Sequence, residues 1–425
     1  MMCWRALRSV LLGAALTSAL PGCGSSTLDS LGNNAQNDEV PASLRPVVHP
    51  AQKSSTFCDL LGGQACDASA KVEAAFQQLF HGTQDQQRIF FEDQAGPGKS
   101  SIVDVLHQEV RAEGIGLAML ISVELNHKKE FDELWLFTKS AENKQLLVAS
   151  GPAKGYISTL CGEGEGVPCY DVYAMQQMVL ALMLANARWG STATYTYEND
   201  ALSLLDVLKN KEAENGGVVS GIGSVFSPES YLVREDPELA DAGFTTRSSL
   251  QMPAAYWYWG KATGMPFWDA AAEASRKLLV AAADPSTGLW PMRSYFDGAL
   301  VDGSQGFTQQ AYRTQLNLAL DAAWGTATDD QARLADRVLD FFSSQGITTY
   351  GGTFETDGTP IDTGRAQALV SANGALAVAA RTNPNRKAFV QAVWNQPTPT
   401  GDNRYYEGLL YLTSLVILSG QMQVY

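Results

Sequence analysis

The chain is poor in basic residues and in histidine. Of its 425 residues, 30 are Lys or Arg and 45 are Asp or Glu, which gives a formal net charge of −15, and only 4 are histidine. Nucleic-acid binding is disfavoured, because the sequence has no basic patch to neutralise phosphates. The same charge disfavours binding to an anionic membrane surface. A neutral partner is compatible with it.

Beyond its first residues the sequence lacks the roughly 18 to 20 consecutive uncharged residues that a membrane span requires. The apolar stretch VLLGAALTSAL follows Arg5 and Arg8, as is typical of a secretory signal peptide. The next letters, LPGC, resemble a lipoprotein cleavage site at which Cys23 carries the lipid. A plain signal peptide cut nearby is the alternative.

We therefore expect a signal peptide over residues 1–22. Residues 23–55 are rich in Ser, Asn and Pro without periodicity, and they predict a lipid-anchored disordered linker. The predicted protein is an exported lipoprotein of the cell envelope, in the periplasm or at the cell surface. It would contact a membrane only through its N-terminal lipid.

Cysteine is scarce, and four cysteines follow the predicted lipid attachment site: Cys58, Cys66, Cys161 and Cys169. An even number in an exported protein favours disulfides. The simplest pairing is Cys58–Cys66 and Cys161–Cys169, although three pairings are open. A zinc site is disfavoured, because the CxxC spacing is absent and histidines are few. We expect neither a metal nor a cofactor.

From about residue 68 two kinds of helical segment alternate. Amphipathic helices lie on the outside of a protein, whereas helices that are apolar on all sides are buried. The apolar segments are 115–126, 174–189, 248–259, 311–324, 366–380 and 407–419, and the amphipathic ones are 69–80, 130–140, 199–212, 266–282, 328–343 and 386–394. Six of each kind predict an all-α (α/α)6 barrel, with six inner and six outer helices, in one domain over residues 56–425.

Two further features refine this prediction. The Trp-Gly pairs at 189–190, 259–260 and 324–325 each predict the end of an inner helix, since glycine commonly ends helices. Residues 345–364 are expected to hold a short extended segment.

The first residues of the inner helices should meet at one end of such a barrel, where a cleft is expected. Glu113 is the least expected polar residue there, because a strongly apolar helix follows it. We expect its carboxylate to face the cleft; the alternative is an acid that only stabilises the helix dipole. The polar residues at these positions are Glu113, Asp171, Arg247, Gln309, Gln310 and Arg404.

The segment around Glu113, VRAEGIGLAMLISVELNHKKEFDELWLFTK, resembles the acid-bearing segment of glycoside hydrolase family 8. Later stretches are similar to the same family in the same order: MPFWDAAAEASRKLLVAAADPSTGLWP, YFDG, QAYRTQLNLALDAAWG and WNQPTPTGDNRYYEGLLYLTSLVILSG. They look most like its branch of xylanases and reducing-end xylose-releasing exo-oligoxylanases. The resemblance implies an (α/α)6 barrel and an inverting hydrolase of β-1,4-linked glucan, xylan or chitosan.

By this resemblance Glu113 stands at the general acid, which must hold its proton near neutral pH. The apolar Ile115 and Leu117 are expected to supply a setting that raises its carboxyl pKa. The family also has a sugar-contacting Asp at the start of the second inner helix. An ungapped count places Tyr173 there, whereas Asp171 fits if the helix start shifts by two residues; we take Asp171 as the second catalytic candidate.

The family's general base is an Asp three residues before an Arg on the fourth inner helix. Here Arg313 is present, but Gln310 replaces the acid, and an amide cannot accept the proton of the attacking water. Another loop could supply the base, although each candidate is more commonly a solvated loop acid. The candidates are Asp171, Asp297, Asp302, Glu235, Asp236, Glu238 and Asp241.

Aromatic residues on or beside the inner helices are candidates for a floor on which sugar rings stack: Tyr256, Trp257, Tyr312, Tyr405 and Tyr406. Core packing is the alternative for each of them. The predicted substrate-binding residues are Tyr173, Gln310, Tyr312, Arg313, Asp297, Tyr405 and Tyr406.

Three functions follow from these residues. The first is an exported glycoside hydrolase that acts on β-1,4-linked poly- or oligosaccharide, with Glu113 as its acid. The second is a catalytically impaired carbohydrate-binding protein of the same fold, which Gln310 favours. The third is an envelope scaffold whose cleft binds nothing.

Overall fold

The computed structural model of the protein describes residues 39–48, 54–140, 146–160, 168–239 and 244–425. The predicted signal peptide and the lipid attachment site, Cys23, lie outside the described residues. None of the described helices is long and apolar enough to cross a membrane. Residues 40–425 form one compact unit.

The described residues contain thirteen α-helices. They are α1 (Thr56–Leu61), α2 (Ser69–His81), α3 (Ala112–Leu125), α4 (Lys128–Thr138), α5 (Val172–Trp189), α6 (Tyr197–Asn215), α7 (Pro253–Thr263), α8 (Pro266–Ala281), α9 (Tyr312–Ala323), α10 (Asp329–Ser344), α11 (Gln367–Leu376), α12 (Arg386–Asn395) and α13 (Arg404–Leu418).

Six of these helices form a closed inner ring. Helix α3 packs against α5, and α7, α9, α11 and α13 follow in turn until α13 packs against α3 again. The intervening helices α2, α4, α6, α8, α10 and α12 form the outer layer. The predicted (α/α)6 barrel is confirmed.

Burial explains why the two kinds of helix separate. In α3 every residue from Ala112 to Glu124 is buried except Glu113, so this helix has no polar face and must lie inside. Helix α10 buries one face only, and a capping box between Thr328 and Gln331 fixes its first turn.

Two of the three Trp-Gly pairs mark the ends of inner helices, as predicted, and one does not. Gly190 ends α5 and Gly325 follows α9, both with positive φ. The predicted end at Gly260 is wrong, because α7 continues to Thr263 and Gly264 caps it. A Cβ at Gly260 would lie 3.0 Å from the Asp269 carboxylate, so this glycine instead permits close contact between α7 and α8.

Ten short strands precede the inner helices and pair in small antiparallel sheets. They are β1 (Phe90–Phe91), β2 (Ser101–Asp104), β3 (Glu109–Val110), β4 (Ser158–Leu160), β5 (Pro168–Tyr170), β6 (Thr245–Thr246), β7 (Ser294–Tyr295), β8 (Gly306–Phe307), β9 (Thr353–Glu355) and β10 (Pro360–Asp362). Their orders are β1-β2-β3, β4-β5, β6-β7 and β8-β9-β10, with β9 central in the last sheet. The predicted extended segment within 345–364 is confirmed by β9 and β10.

The folded unit begins earlier than the sequence suggests. Part of the predicted linker is ordered, because the Arg45 N–H donates to the Ala262 carbonyl at 2.7 Å and the Leu44 N–H donates to Glu198 at 2.6 Å. Val47 is buried against the core. Residues before the predicted boundary at 56 thus contact the barrel through backbone N–H groups, and composition alone does not reveal such contacts.

The structure contains the Cys58–Cys66 disulfide that the simplest pairing predicts. Cys169 is also disulfide-bonded, while Cys161, its predicted partner, lies outside the described residues. The first bridge closes a short loop between α1 and α2, so it constrains the N-terminal edge of the barrel.

Candidate active site

A cleft of about 420 Å³ lies at the end of the barrel where the inner helices begin. Strand β3 leads directly into α3, and β8 leads into α9, so the small sheets form the walls around these helix starts. The cleft is lined by Asp104, Leu106, His107, Arg111, Glu113, Gln309, Gln310, Tyr312, Arg313, Gly352, Thr353, Asp362, Gly364, Arg365, Ala366, Ala368, Asp402, Asn403, Tyr405, Tyr406 and Glu407.

Glu113 lies in the first turn of α3, and its carboxylate faces this cleft. Its Oε1 lies 2.7 Å from Nη1 of Arg313, with the two side chains 18% and 7% exposed. Burial is the largest single influence on Arg313 and lowers its pKa, but Glu113, Tyr406, Tyr173 and Asp171 together outweigh burial, so the pKa lies above its usual value. The predicted apolar neighbours Ile115 and Leu117 are buried in the core, and the structure adds a charged partner, Arg313, which the sequence did not predict.

Asp171 lies beside Glu113, at the N-cap of α5. Its Oδ1 accepts the Ala174 N–H at 2.9 Å, and its carboxylate also accepts the backbone N–H of Glu113. Burial, and then the charge of Glu113, raise the pKa of Asp171 to about 6, while Arg313 opposes this shift. Asp171 is thus in the charged group around Glu113, although it is not among the residues that line the cleft.

Tyr173, the other candidate for the second site, is buried in the first turn of α5. The guanidinium of Arg313 lies 4.4 Å from the centre of its ring. Asp171 and Tyr173 therefore both contact the Glu113–Arg313 pair, one through charge and the other through its aromatic face.

The pH dependence of activity should report on Asp171. If its carboxylate accepts a hydrogen bond from the sugar, hydrolysis should fall as the pH drops through about 6. Asp171→Asn keeps an oxygen for the N-cap, so its activity should be lower near pH 7 and should lack this acid limb. The measurement is kcat/KM between pH 4.5 and 8.

Stability provides the control for Asp171→Asn. Folding raises the pKa of Asp171 from 3.8 to about 6, so the folded protein binds a proton at Asp171 more tightly than the unfolded chain does. The stability gained from this proton is fully present below pH 3.8 and is lost as the pH rises through 6. The Asn variant should therefore be at least as stable as wild type at pH 7. A large fall in its melting temperature would show that the loss of activity reflects damaged structure.

Gln310 lies in a short 3₁₀ segment, Gln309–Ala311, immediately before α9. Its Oε1 accepts a hydrogen bond from Nη1 of Arg247. Glu235 lies behind this pair, 3.6 Å from Nε of Arg247 and 2.7 Å from Nε of Arg293. The position of the expected base thus holds an amide that a guanidinium orients.

The other candidate bases lie mostly outside the cleft. Asp297 is exposed and accepts the Ala299 N–H at 2.9 Å within a turn, and Asp302 is in a second exposed turn. Neither of them, nor Glu235, Asp236 or Glu238, lines the cleft. Asp241 lies outside the described residues. The structure therefore gives Asp297 no contact with the cleft that would support its predicted role in substrate binding.

Four cleft carboxylates were not predicted from the sequence: Asp104, Asp362, Asp402 and Glu407. Glu407 accepts the Gln367 N–H at 3.1 Å, and burial raises its pKa. It stands three residues after Arg404, in the first turn of α13, so its position at a helix start was a usable signal. The other three lie on loops or at strand ends, for which the helix pattern gives no signal.

The aromatic candidates divide into two groups. Tyr312, Tyr405 and Tyr406 line the cleft, whereas Tyr256 and Trp257 do not. The Tyr256 hydroxyl donates to Gln176, and its ring is fully buried, so core packing explains it. Of the predicted floor, only the three tyrosines of α9 and α13 line the cleft, and the side chains of Tyr312 and Tyr405 are themselves largely buried.

A cluster of potential metal ligands lies at the cleft edge. Asp104, His107 and Glu109 place one ligand atom each within 4.8 Å of one another. However, Arg111 Nε lies 3.1 Å from Asp104 and Arg111 Nη2 lies 2.5 Å from Glu109. This guanidinium pairs with both carboxylates and would repel a cation, so ion pairing accounts for the cluster.

The sequence matches the model of glycosyl hydrolases family 8 over residues 104–420. The reducing end xylose-releasing exo-oligoxylanase of Halalkalibacterium halodurans is 28% identical over 379 residues, which cover 86% of this chain and 92% of the relative. Rex8A of Paenibacillus barcinonensis, another reducing-end xylose-releasing exo-oligoxylanase, is 28% identical over 88% of this chain and 98% of its own length.

Solved structures agree with the sequence comparisons. Rex8A complexed with xylose superposes with a TM-score of 0.78 at 27% identity, covering 88% of this chain and 98% of that one. A family 8 protein from Teredinibacter turnerae in complex with xylobiose gives a TM-score of 0.77 at 28% identity, with the same coverage. The family match spans most of the barrel and includes Glu113, Asp171 and Gln310, and on this evidence the chain belongs to glycosyl hydrolases family 8.

Proposed function

We propose that this protein is an exported, inverting glycoside hydrolase of β-1,4-linked xylo-oligosaccharides, with Glu113 as its general acid. The observation that carries the proposal is the position of Glu113: it is the one residue from Ala112 to Glu124 that is not fully buried, and it lines the cleft. The names of the relatives above support xylo-oligosaccharides as the substrate. A cellulose-type glucan is the second choice, because an endoglucanase of Ruminiclostridium josui is 24% identical over 73% of this chain.

The reaction requires two proton transfers. Glu113 protonates the glycosidic oxygen, so that the sugar leaves as an alcohol while positive charge develops at the anomeric carbon. A carboxylate on the opposite face, roughly 6.5–9.5 Å from the acid, removes a proton from the attacking water. Asp171, held by two backbone N–H groups beside Glu113, would accept a hydrogen bond from the reacting sugar and stabilise the developing charge.

Product release from a panel of substrates tests this function. Xylan, β-glucan, chitosan and their short oligomers would be incubated with the purified protein, and the products separated. We expect release from xylo-oligosaccharides, and the anomer formed first should be inverted by NMR. Release from chitosan alone, or retention of configuration, would contradict the proposal.

A binding protein of the same fold is the second candidate, and the contact between Arg247 and Gln310 favours it. Without a carboxylate at that position, the cleft could hold an oligosaccharide without activating water. Calorimetric binding of xylotetraose by a wild-type protein that releases no product would establish this alternative.

We also propose that the protein is a lipoprotein of the cell envelope. The support is the N-terminal sequence, with its basic residues, apolar stretch and LPGC. Mature protein should begin at Cys23 and partition into detergent, whereas Cys23→Ser should abolish that partitioning. A soluble mature form that starts elsewhere and is unchanged by the substitution would contradict lipidation but not export.

A further inference from the structure

Tyr405 carries a buried hydroxyl that has no hydrogen-bond partner among the described residues. The residue is only 4% exposed, yet it lines the cleft. Buried hydroxyls normally have a partner, because an unpaired one loses its bonds to water without replacement. This orphan hydroxyl therefore needs an explanation.

In the structure this hydroxyl packs against the first turn of α3, at Gly114. A Cβ at residue 114 would lie 2.6 Å from Cε2 and 2.8 Å from the hydroxyl oxygen of Tyr405. Only glycine leaves room for the ring at that point. Gly114 follows Glu113 directly, so the absence of a side chain at 114 allows the Tyr405 hydroxyl to lie beside the carboxylate.

The first turn of α13 holds Tyr405 in place. The adjacent Arg404 donates to the carbonyls of Arg88, Gly401 and Gln84 at 3.0, 2.7 and 2.9 Å. On the other side, the hydroxyl of Tyr406 donates to the Gln309 carbonyl. Burial, and then the charges of Glu113 and Asp104, raise the pKa of Tyr405 well above 10, so its hydroxyl remains a neutral donor.

We propose that Tyr405 is a substrate-positioning residue, whose hydroxyl donates a hydrogen bond to an oxygen of the sugar unit that reacts at Glu113. This role differs from stacking, because Tyr405 is only 4% exposed and offers a sugar little of its ring face. It rests on the proposed function, since it requires a sugar in this cleft. The hydroxyl orients the sugar and takes no part in proton transfer.

The test compares Tyr405→Phe with Tyr411→Phe. Tyr411 lies on the same helix outside the cleft, and its hydroxyl donates to the Gln396 carbonyl at 2.9 Å. Tyr405→Phe should bind xylotetraose about 3- to 10-fold more weakly without a loss of melting temperature, because it removes an unpaired group. Tyr411→Phe should show the opposite: unchanged affinity and a lower melting temperature.

Monodeoxy xylobiosides identify the partner oxygen. Wild type should bind each monodeoxy compound more weakly than xylobiose wherever the missing hydroxyl made a bond. If Tyr405 bonds to one of these hydroxyls, Tyr405→Phe should bind that deoxy compound and xylobiose equally well, because the bond is already lost. The pH profile of any hydrolysis should keep its shape. Wild-type binding that Tyr405→Phe leaves unchanged would overturn the role of Tyr405 alone, whereas a wild type that neither binds nor cleaves any xylo-oligosaccharide would overturn the proposed function with it.

Discussion

Gln310→Asp is expected to raise the rate of xylo-oligosaccharide hydrolysis by at least about tenfold, because a well-placed general base typically contributes 10²–10⁴. The substitution creates a carboxylate one helical turn before Arg313, at the cleft. Arg247, which now donates to the Gln310 amide, would pair with the new Asp and favour its ionised form. The measurement is the initial rate on xylotriose and xylotetraose, with the anomeric configuration of the product.

Gln310→Asn is the matched control for this gain. It shortens the side chain as Asp does but adds no charge, so it should leave the rate unchanged. Robust wild-type turnover that Gln310→Asp lowers would contradict the prediction and place the base elsewhere. Asp104, Asp362, Asp402 and Glu407 should then be replaced one at a time, since these carboxylates line the cleft.

Glu113→Gln is expected to lower hydrolysis by about 10²–10⁴, the usual contribution of a general acid. Gln is nearly isosteric, and its amide oxygen can still accept a hydrogen bond from Arg313. Oligosaccharide affinity should therefore change little while kcat falls. Single-turnover rates and calorimetric binding on the same preparation separate the two quantities.

Glu273→Gln provides the charge-matched control for this loss. Glu273 is exposed on α8 and pairs with Lys277 at 2.6 Å, outside the cleft. Its replacement should leave both rate and affinity unchanged. Full turnover in Glu113→Gln would remove Glu113 from the mechanism, and a parallel collapse of binding would show that the Glu113–Arg313 pair is needed to form the cleft.

The inner and outer helices could be told apart from the sequence, because the distribution of apolar residues along a helix reflects which of its faces are buried. A helix such as α3, apolar on all sides, can only be an inner helix, and α10, with one apolar face, can only be an outer one. Gly260 shows the limit of local signals: a glycine after Trp predicts a helix end, yet its role here is contact with Asp269, on a different helix. The same residue type serves both purposes, and only the packing distinguishes them.

Individual site residues were predictable from the sequence, but the contacts between them were not, because those contacts join residues on different elements. Glu113 and Arg313 could be identified singly, but their ion pair joins residues on the first and fourth inner helices. Likewise, the bond from Arg247 to Gln310 depends on how β6 and α9 meet after the ring closes. Asp362 ends strand β10 and Asp402 lies on a loop, so neither belongs to a periodic helix pattern, and their approach to the cleft follows from the closed barrel rather than from local sequence.

The contact between α13 and α3 has a consequence for biosynthesis. These helices come from opposite ends of the barrel sequence, and their seam brings Tyr405 beside Gly114 and Glu113. A nascent chain that has released only its first inner helices therefore exposes Glu113 but has no cleft around it. Such long-range closure is slow compared with local helix formation, so the acquisition of activity should coincide with the final, cooperative step of folding, after the last inner helix has been synthesised.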